Sequence, residues 1–203
     1  MKLYYLPGAC SMADHIALEW IGQPYEAQAV AREALQSPDY LKLNPSGQVP
    51  ALVVEEDWVL TQNVAILNYL TDRFPEAKLG GNGSPRERAE VNRWLCYLNA
   101  DVHAAFKPVF GPQRFIADEA QHGAVQDMAR RHLRGHFERL NAQLAEREWL
   151  TGHRSVADAY LFVVLRWAKG KQVDLSGLAH LDAFFARMQA DSGVQAAMKA
   201  EGL

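Results

Sequence analysis

The chain opens on an apolar run, Leu3-Tyr4-Tyr5-Leu6, of the length of a short buried strand. Pro7-Gly8 breaks it, and apolar residues then recur at helical spacing at Ile16, Ala17, Trp20 and Ile21. Gly22 and Pro24 stop that helix, and Tyr25 to Val30 alternates as a second strand does. Arg32 to Leu43 reads as irregular chain or short helix, with Pro38 well placed at a helix start. Asn44-Pro45-Ser46-Gly47-Gln48-Val49-Pro50 is a loop by every breaker signal. Ala51-Leu52-Val53-Val54 and Trp58-Val59-Leu60 flank Glu55-Glu56-Asp57 and predict a hairpin. A helix follows from Thr61 or Gln62, burying Val64, Ile66, Leu67 and Leu70 and ending before Pro75.

From Ser84 onward every periodic segment is helical. Ser84-Pro85-Arg86-Glu87 has a cap, a proline at the first helical position and an acid at the third. Val91, Trp94, Leu95, Leu98 and Val102 make one apolar stripe; Phe106 to Pro112 bends or breaks that helix. Val125, Met128, Leu133, Phe137, Leu140 and Leu144 make the next stripe, with Arg130, Arg131, Arg134 and Arg139 largely off it. Ser155 and Asp158 are spaced as a capping box for an apolar helix from Ala159 to Ala168, and two helices close the chain. The pattern therefore predicts an α/β unit over residues 1–75, a glycine-rich linker over 76–83 and an all-α unit over 84–203.

Charge narrows the function classes. The 203 residues carry a net charge of -3, and acids interleave with the arginines, so neither nucleic acid nor a membrane surface is indicated as a partner. No apolar run approaches the length of a membrane span. The apolar start is interrupted at once by Pro7-Gly8, then by Asp14, His15 and Glu19, which does not read as a signal peptide. Two cysteines, Cys10 and Cys96, suggest no disulfide framework, and a reducing cytoplasm is the expected compartment.

Cys10 is the candidate for chemistry. It lies between the Pro-Gly turn and the first helix, with Ser11 as the expected N-cap. Unpaired N–H groups and the helix dipole favour negative charge there, so a depressed thiol pKa is expected. His132 and His136 are four apart but have no third ligand nearby in sequence, and no metal site is predicted.

The chain resembles a cytosolic glutathione S-transferase of the bacterial, cysteine-containing (beta) class. The matching pieces are Tyr4-Tyr5 with Pro7-Gly8-Ala9-Cys10-Ser11, Asn44-Pro45 with Gly47-Gln48-Val49-Pro50-Ala51-Leu52, Leu60-Thr61 with Val64-Ala65-Ile66 and Tyr69-Leu70, Ser155 to Leu161, and Leu165-Arg166-Trp167-Ala168. The resemblance implies a thioredoxin-like N-terminal domain, an all-helical C-terminal domain and a homodimer. Glutathione would be a substrate, with no separate cofactor, and the acceptor a small apolar electrophile or a disulfide, as in detoxification.

Residue by residue, the resemblance implies Cys10 at the glutathione sulfur and a cis peptide before Pro50 that turns the Val49 backbone toward the tripeptide. Gln62 and Asn63 would grip the γ-glutamyl carboxylate at a helix mouth, with Asn63 standing where the family usually has Ser or Gly. Arg32 would lie near the glycine carboxylate, and His103 would approach the sulfur from the domain interface. Cys96 stands where the family often has asparagine. Two helical turns from His103, it is read either as a buried packing residue or as a second thiol near Cys10. Phe106, Phe110 and Trp167 would line the acceptor pocket, or would be plain core. A non-catalytic binding module on the same fold is the alternative.

Overall fold

A computed structural model describes all residues, 1–203. The first half is a β-α-β unit followed by a hairpin and a helix. Strand β1 (Lys2–Tyr5) leads through α1 (Met12–Ile21) to β2 (Glu26–Ala29), which pairs with β1 in parallel. After a 3₁₀ turn at Arg32–Gln36 and the short α2 (Pro38–Leu43), β3 (Ala51–Glu55) and β4 (Trp58–Thr61) form the hairpin. β3 runs antiparallel to both β1 and β4, giving the sheet order β2-β1-β3-β4. α3 (Asn63–Arg73) packs beside α1.

The second half is helical throughout: α4 (Pro85–Cys96), a short α5 (Lys107–Phe110), α6 (His122–Gln143), α7 (Val156–Gly170), α8 (Ala179–Ala190) and α9 (Ser192–Ala200). The Ser84 hydroxyl accepts from Glu87 N–H, and Ser155 and Asp158 cap α7 reciprocally. Asp158 also accepts from Leu150 N–H at 2.9 Å, so the box ties the preceding loop to the helix. The segment over 76–83 is tethered: Leu79 is buried and its carbonyl accepts from Val156 N–H.

Three readings of the pattern are corrected. α1 is not amphipathic. Every residue from Met12 to Leu18 is buried, including Asp14 and His15, because the helix lies between the sheet on one side and α7 and α9 on the other. Met128 lies off the buried stripe of α6 and is exposed. Finally, α4 continues into a π-helical turn at Tyr97–His103. That wider turn shifts the register, so Cys96 and His103 do not share a face. Cys96 is exposed, against the reading of it as a buried packing residue, whereas His103 turns inward.

Candidate active site

The loop from Leu6 to Ser11 carries Cys10 from the end of β1 to the start of α1. Gly8 takes φ 72°, a left-handed conformation that glycine adopts without strain. Its two backbone groups are both held from the helical half. Gly8 N–H donates to Glu201 Oε2 at 2.8 Å, and the Trp167 indole N–H donates to Gly8 O at 2.7 Å. Glu201 is buried and its other oxygen is 3.0 Å from Nδ1 of the buried His15. The C-terminal end of the chain therefore clamps the cysteine loop.

Ser11 does not cap α1. It is fully buried in helical geometry, and its hydroxyl turns back to the N–H and C=O of Leu6. The N–H groups of Met12 and Ala13 are taken by the carbonyls of Ala9 and Cys10. Only the N–H groups of Cys10 and Ser11 are left to steady a thiolate. Burial outweighs them, and with the nearby Asp14 charge it pushes the Cys10 thiol up to about 12. The depressed pKa expected from the helix mouth is corrected: Cys10 is a protonated thiol at neutral pH. Asp14 is fully buried with neither carboxylate oxygen hydrogen-bonded, and burial raises its pKa well above the carboxylate range.

The Val49–Pro50 peptide bond is cis. The Cys10 thiol donates to Val49 O at 3.4 Å, and Val49 N–H has no protein partner. The loop is held from behind, where Gln48 O accepts from both the Tyr40 hydroxyl and the Asn44 amide. At the mouth of α3, Gln62 is exposed with φ 73°, an uncommon conformation for a side-chain-bearing residue. Asn63 behaves differently from the expectation of a ligand-gripping amide. Its side chain is buried and donates to Cys10 O at 3.0 Å, so its bulk is turned inward to brace the cysteine loop.

From the helical half, His103 Nδ1 lies 2.8 Å from the Tyr160 hydroxyl, which in turn donates to Asn99 Oδ1 at 3.0 Å. The hydroxyl has one proton. Giving it to Asn99 makes Tyr160 the acceptor from His103 Nδ1–H, and Nε2 is left as the unprotonated nitrogen. Burial, and then the Lys107 charge, lower the His103 pKa to about 4, so the ring is neutral at neutral pH. The ring also packs edge-on against Trp167, with centroids 4.8 Å apart.

The structure thus brings Cys10, Val49 and Asn63 together by direct hydrogen bonds, and joins His103 to them through Trp167 and Gly8. Cys96 and Arg32 are exposed, and Arg32 makes no hydrogen bond or ion pair. Phe106, Phe110 and Trp167 do pack on one another, with centroids 5.4–5.5 Å apart. Phe106 is nonetheless fully buried and can only back a pocket, whereas Phe110 is exposed and Trp167 half-buried. Asp14, His15, Asn99, Tyr160 and Glu201 were not singled out by pattern. A phenol inside the otherwise apolar run from Ala159 to Leu165 was the one available signal, because a buried hydroxyl needs a partner.

Comparison with known proteins agrees along the whole chain. Residues 1–72 match the family model "Glutathione S-transferase, N-terminal domain" and residues 92–191 match "Glutathione S-transferase, C-terminal domain". Glutathione S-transferase GST-4.5 of Xanthomonas campestris pv. campestris is 54% identical over 204 residues, covering 100% of both chains. Among solved structures, a glutathione S-transferase from Xylella fastidiosa is 53% identical with a TM-score of 0.96, over 100% of this chain and 98% of that one. A beta class glutathione S-transferase of Sphingomonas chungbukensis is 36% identical with a TM-score of 0.89. A sphingomonad glutathione S-transferase complexed with glutathione is 36% identical with a TM-score of 0.87. Each of these two covers 100% of both chains.

Proposed function

Because this chain belongs to the glutathione S-transferase family and is a glutathione transferase, we propose that it is a beta-class enzyme in which Cys10 meets the glutathione sulfur. The observation that carries this reading is the pairing of Cys10 with Val49. A free Val49 N–H, a carbonyl now held by the thiol, and a cis-proline turn form one edge on which an extended peptide can pair as an added strand. The unpaired N–H groups at the start of α3, with Gln62 beside them, suit the γ-glutamyl carboxylate. The sphingomonad relative complexed with glutathione supports the same ligand here.

The protonation states give Cys10 its role. A thiol held near pKa 12 is a poor nucleophile and a competent S–H donor. In conjugation, glutathione gives up its thiol proton to solvent. Its thiolate is held by the Cys10 S–H and attacks an electrophilic carbon, and the leaving group departs with its electron pair. Neutral His103 completes the polar wall of the site. Phe110 and Trp167, backed by Phe106, offer an apolar surface to a small electrophile. Glutathione disulfide exchange is the second reaction open to the same residue, through its small thiolate fraction: Cys10 gives its proton to solvent, its sulfur attacks one sulfur of the disulfide, the S–S bond breaks, and a mixed disulfide forms as one glutathione thiolate leaves.

No helix is long and apolar enough to cross a membrane. A cytoplasmic detoxifying homodimer is the form the resemblance favours, and light scattering at twice 22.7 kDa would support it. The central test is steady-state conjugation of an activated aryl halide. The wild type should turn over. Cys10→Ala should retain part of kcat while the pH at which kcat/KM is half-maximal moves upward, because the thiolate loses its donor. An unchanged pH profile in Cys10→Ala would remove Cys10 from the sulfur.

A further inference from the structure

The two histidines left without a role by their spacing meet on α6. His132 and His136 are one helical turn apart, and their Nε2 atoms lie 3.2 Å from each other. The rings stand nearly perpendicular, 81° between planes. On the far side of the second ring, His136 Nδ1 is 2.7 Å from the Tyr97 hydroxyl, at the start of the π-helical turn. Arg139 lies over the Tyr97 ring with 4.4 Å to the centroid.

Two proton arrangements fit these distances. In one, Tyr97 O–H donates to Nδ1 and His136 Nε2–H donates to His132, which makes a closed chain of hydrogen bonds. In the other, His136 Nδ1–H donates to Tyr97, and two Nε2 lone pairs converge on one point. The second arrangement needs a cation between the rings. Metal-bound imidazoles characteristically give their other N–H to such an oxygen, which fixes ring and tautomer.

We propose that His132 and His136 form a binding site for a first-row divalent cation of the zinc type, with Tyr97 orienting His136. At a metal–nitrogen distance of about 2.0–2.1 Å, the observed separation of the two nitrogens corresponds to an N–metal–N angle of about 100–106°, near the tetrahedral value. Histidines at i and i+4 on one helix face are a recurrent zinc pair. Imidazole donors select zinc, nickel or copper over magnesium and calcium. No third His, Cys, Asp or Glu converges on the pair, so water fills the remaining positions. The ion would stay exchangeable and lie outside the transferase site, holding α6 to the turn that carries Asn99 and His103.

The test is calorimetric titration of the tag-free, chelator-treated chain with zinc chloride alone. One zinc per chain is expected. His132→Ala or His136→Ala should each weaken binding at least tenfold, and Tyr97→Phe about tenfold. Imidazole Nε2 resonances of both histidines should shift together on adding zinc. Absence of saturable binding at submillimolar zinc would overturn the proposal. So would equal affinity in the His132→Ala/His136→Ala chain, which would place the ion elsewhere on the molecule. Should that chain fold poorly, His132→Gln/His136→Gln provides the same comparison with polar side chains of similar size.

Discussion

The loop around Cys10 and the π-helical turn at Tyr97–His103 face one site from opposite halves of the molecule, and they are built in opposite ways. The Cys10 loop is irregular backbone made rigid by distant groups. Glu201 and Trp167 take both polar atoms of Gly8, Asn63 takes Cys10 O, and Val49 takes the thiol. The π-helical turn is regular backbone whose register has slipped, and its side chains do the linking through Tyr160. The first region is fixed by long-range contacts, so breaking one should cost stability. The backbone of the second is held locally, so its side-chain links to Tyr160 can be altered at a smaller cost that falls mainly on chemistry.

The sharpest test of that contrast is Glu201→Ala. It leaves the buried His15 and Gly8 N–H without their partner. Leaving a buried donor without its acceptor costs about 1–3 kcal/mol, and two are left here. The urea midpoint should fall accordingly with m unchanged, whereas Glu201→Gln, which can still accept from Gly8, should lose less. Equal stability of wild type and Glu201→Ala would show that the clamp on the loop is not energetically real.

Acid should act on the other region. With its pKa lowered to about 4, His103 refuses in the folded chain a proton that it accepts near 6.5 when unfolded. Between those values the unfolded state binds more protons, so stability rises with pH and is lost as pH falls from about 6.5 to 4. The loss is about 3 kcal/mol. Measured by urea midpoints at several pH values, His103→Gln should flatten that segment of the profile. A profile parallel to that of the wild type would sink the assignment of a buried, neutral imidazole.

The two regions were not equally legible in the sequence. The cysteine loop announced itself through turn chemistry: Pro-Gly after an apolar run, a cysteine, then helical periodicity. The hairpin, the helix after Gln62 and the turn at Val49-Pro50 were visible for the same local reasons. The protonation state of Cys10 was hidden, because it depends on the sheet, α7 and α9 closing over α1. Local pattern showed an N-terminal position and could not show burial, nor that Asp14 and His15 would be inside. The helical register was hidden too. Nothing in the apolar stripe Val91 to Val102 marks where i→i+4 bonding widens, yet that slip sends Cys96 outward and His103 inward. Arg32 and Cys96, like Val49, Gln62, Asn63 and His103, were placed by resemblance, and the structure shows these two exposed. Trp167 was placed near the site for its apolar ring, and its N–H on Gly8 O is what the fold uses.

Tyr160→Phe separates linking from packing in the helical half. It removes one hydroxyl from a filled site and leaves Asn99 Oδ1 and His103 Nδ1 unpaired. A lost buried hydrogen bond costs about 1–2 kcal/mol. Separately from that loss of stability, conjugation should show a roughly tenfold fall in kcat/KM, carried mostly by kcat if the pair orients the site during reaction. A fall confined to KM would make Tyr160 part of ligand binding instead.

The smallest effect expected is at Cys96, and it bears directly on the comparison of the two thiols. Cys10 is a protonated thiol, half-buried and engaged with Val49 O, whereas Cys96 is exposed on the helix surface. Alkylation reads thiolate and access together. In the chain without glutathione, near pH 7, iodoacetamide should therefore modify Cys96 before Cys10, reversing the order that the helix-mouth position alone would give. Removing Cys96 should cost almost nothing: Cys96→Ser lies on the helix surface, where substitutions usually stay within about 0.5 kcal/mol, and its turnover should match the wild type. Peptide mass spectrometry over a time course checks the order. Faster modification of Cys10 would mean that the two N–H groups left at the start of α1 outweigh burial, and Cys10 would then return to the role of nucleophile rather than donor.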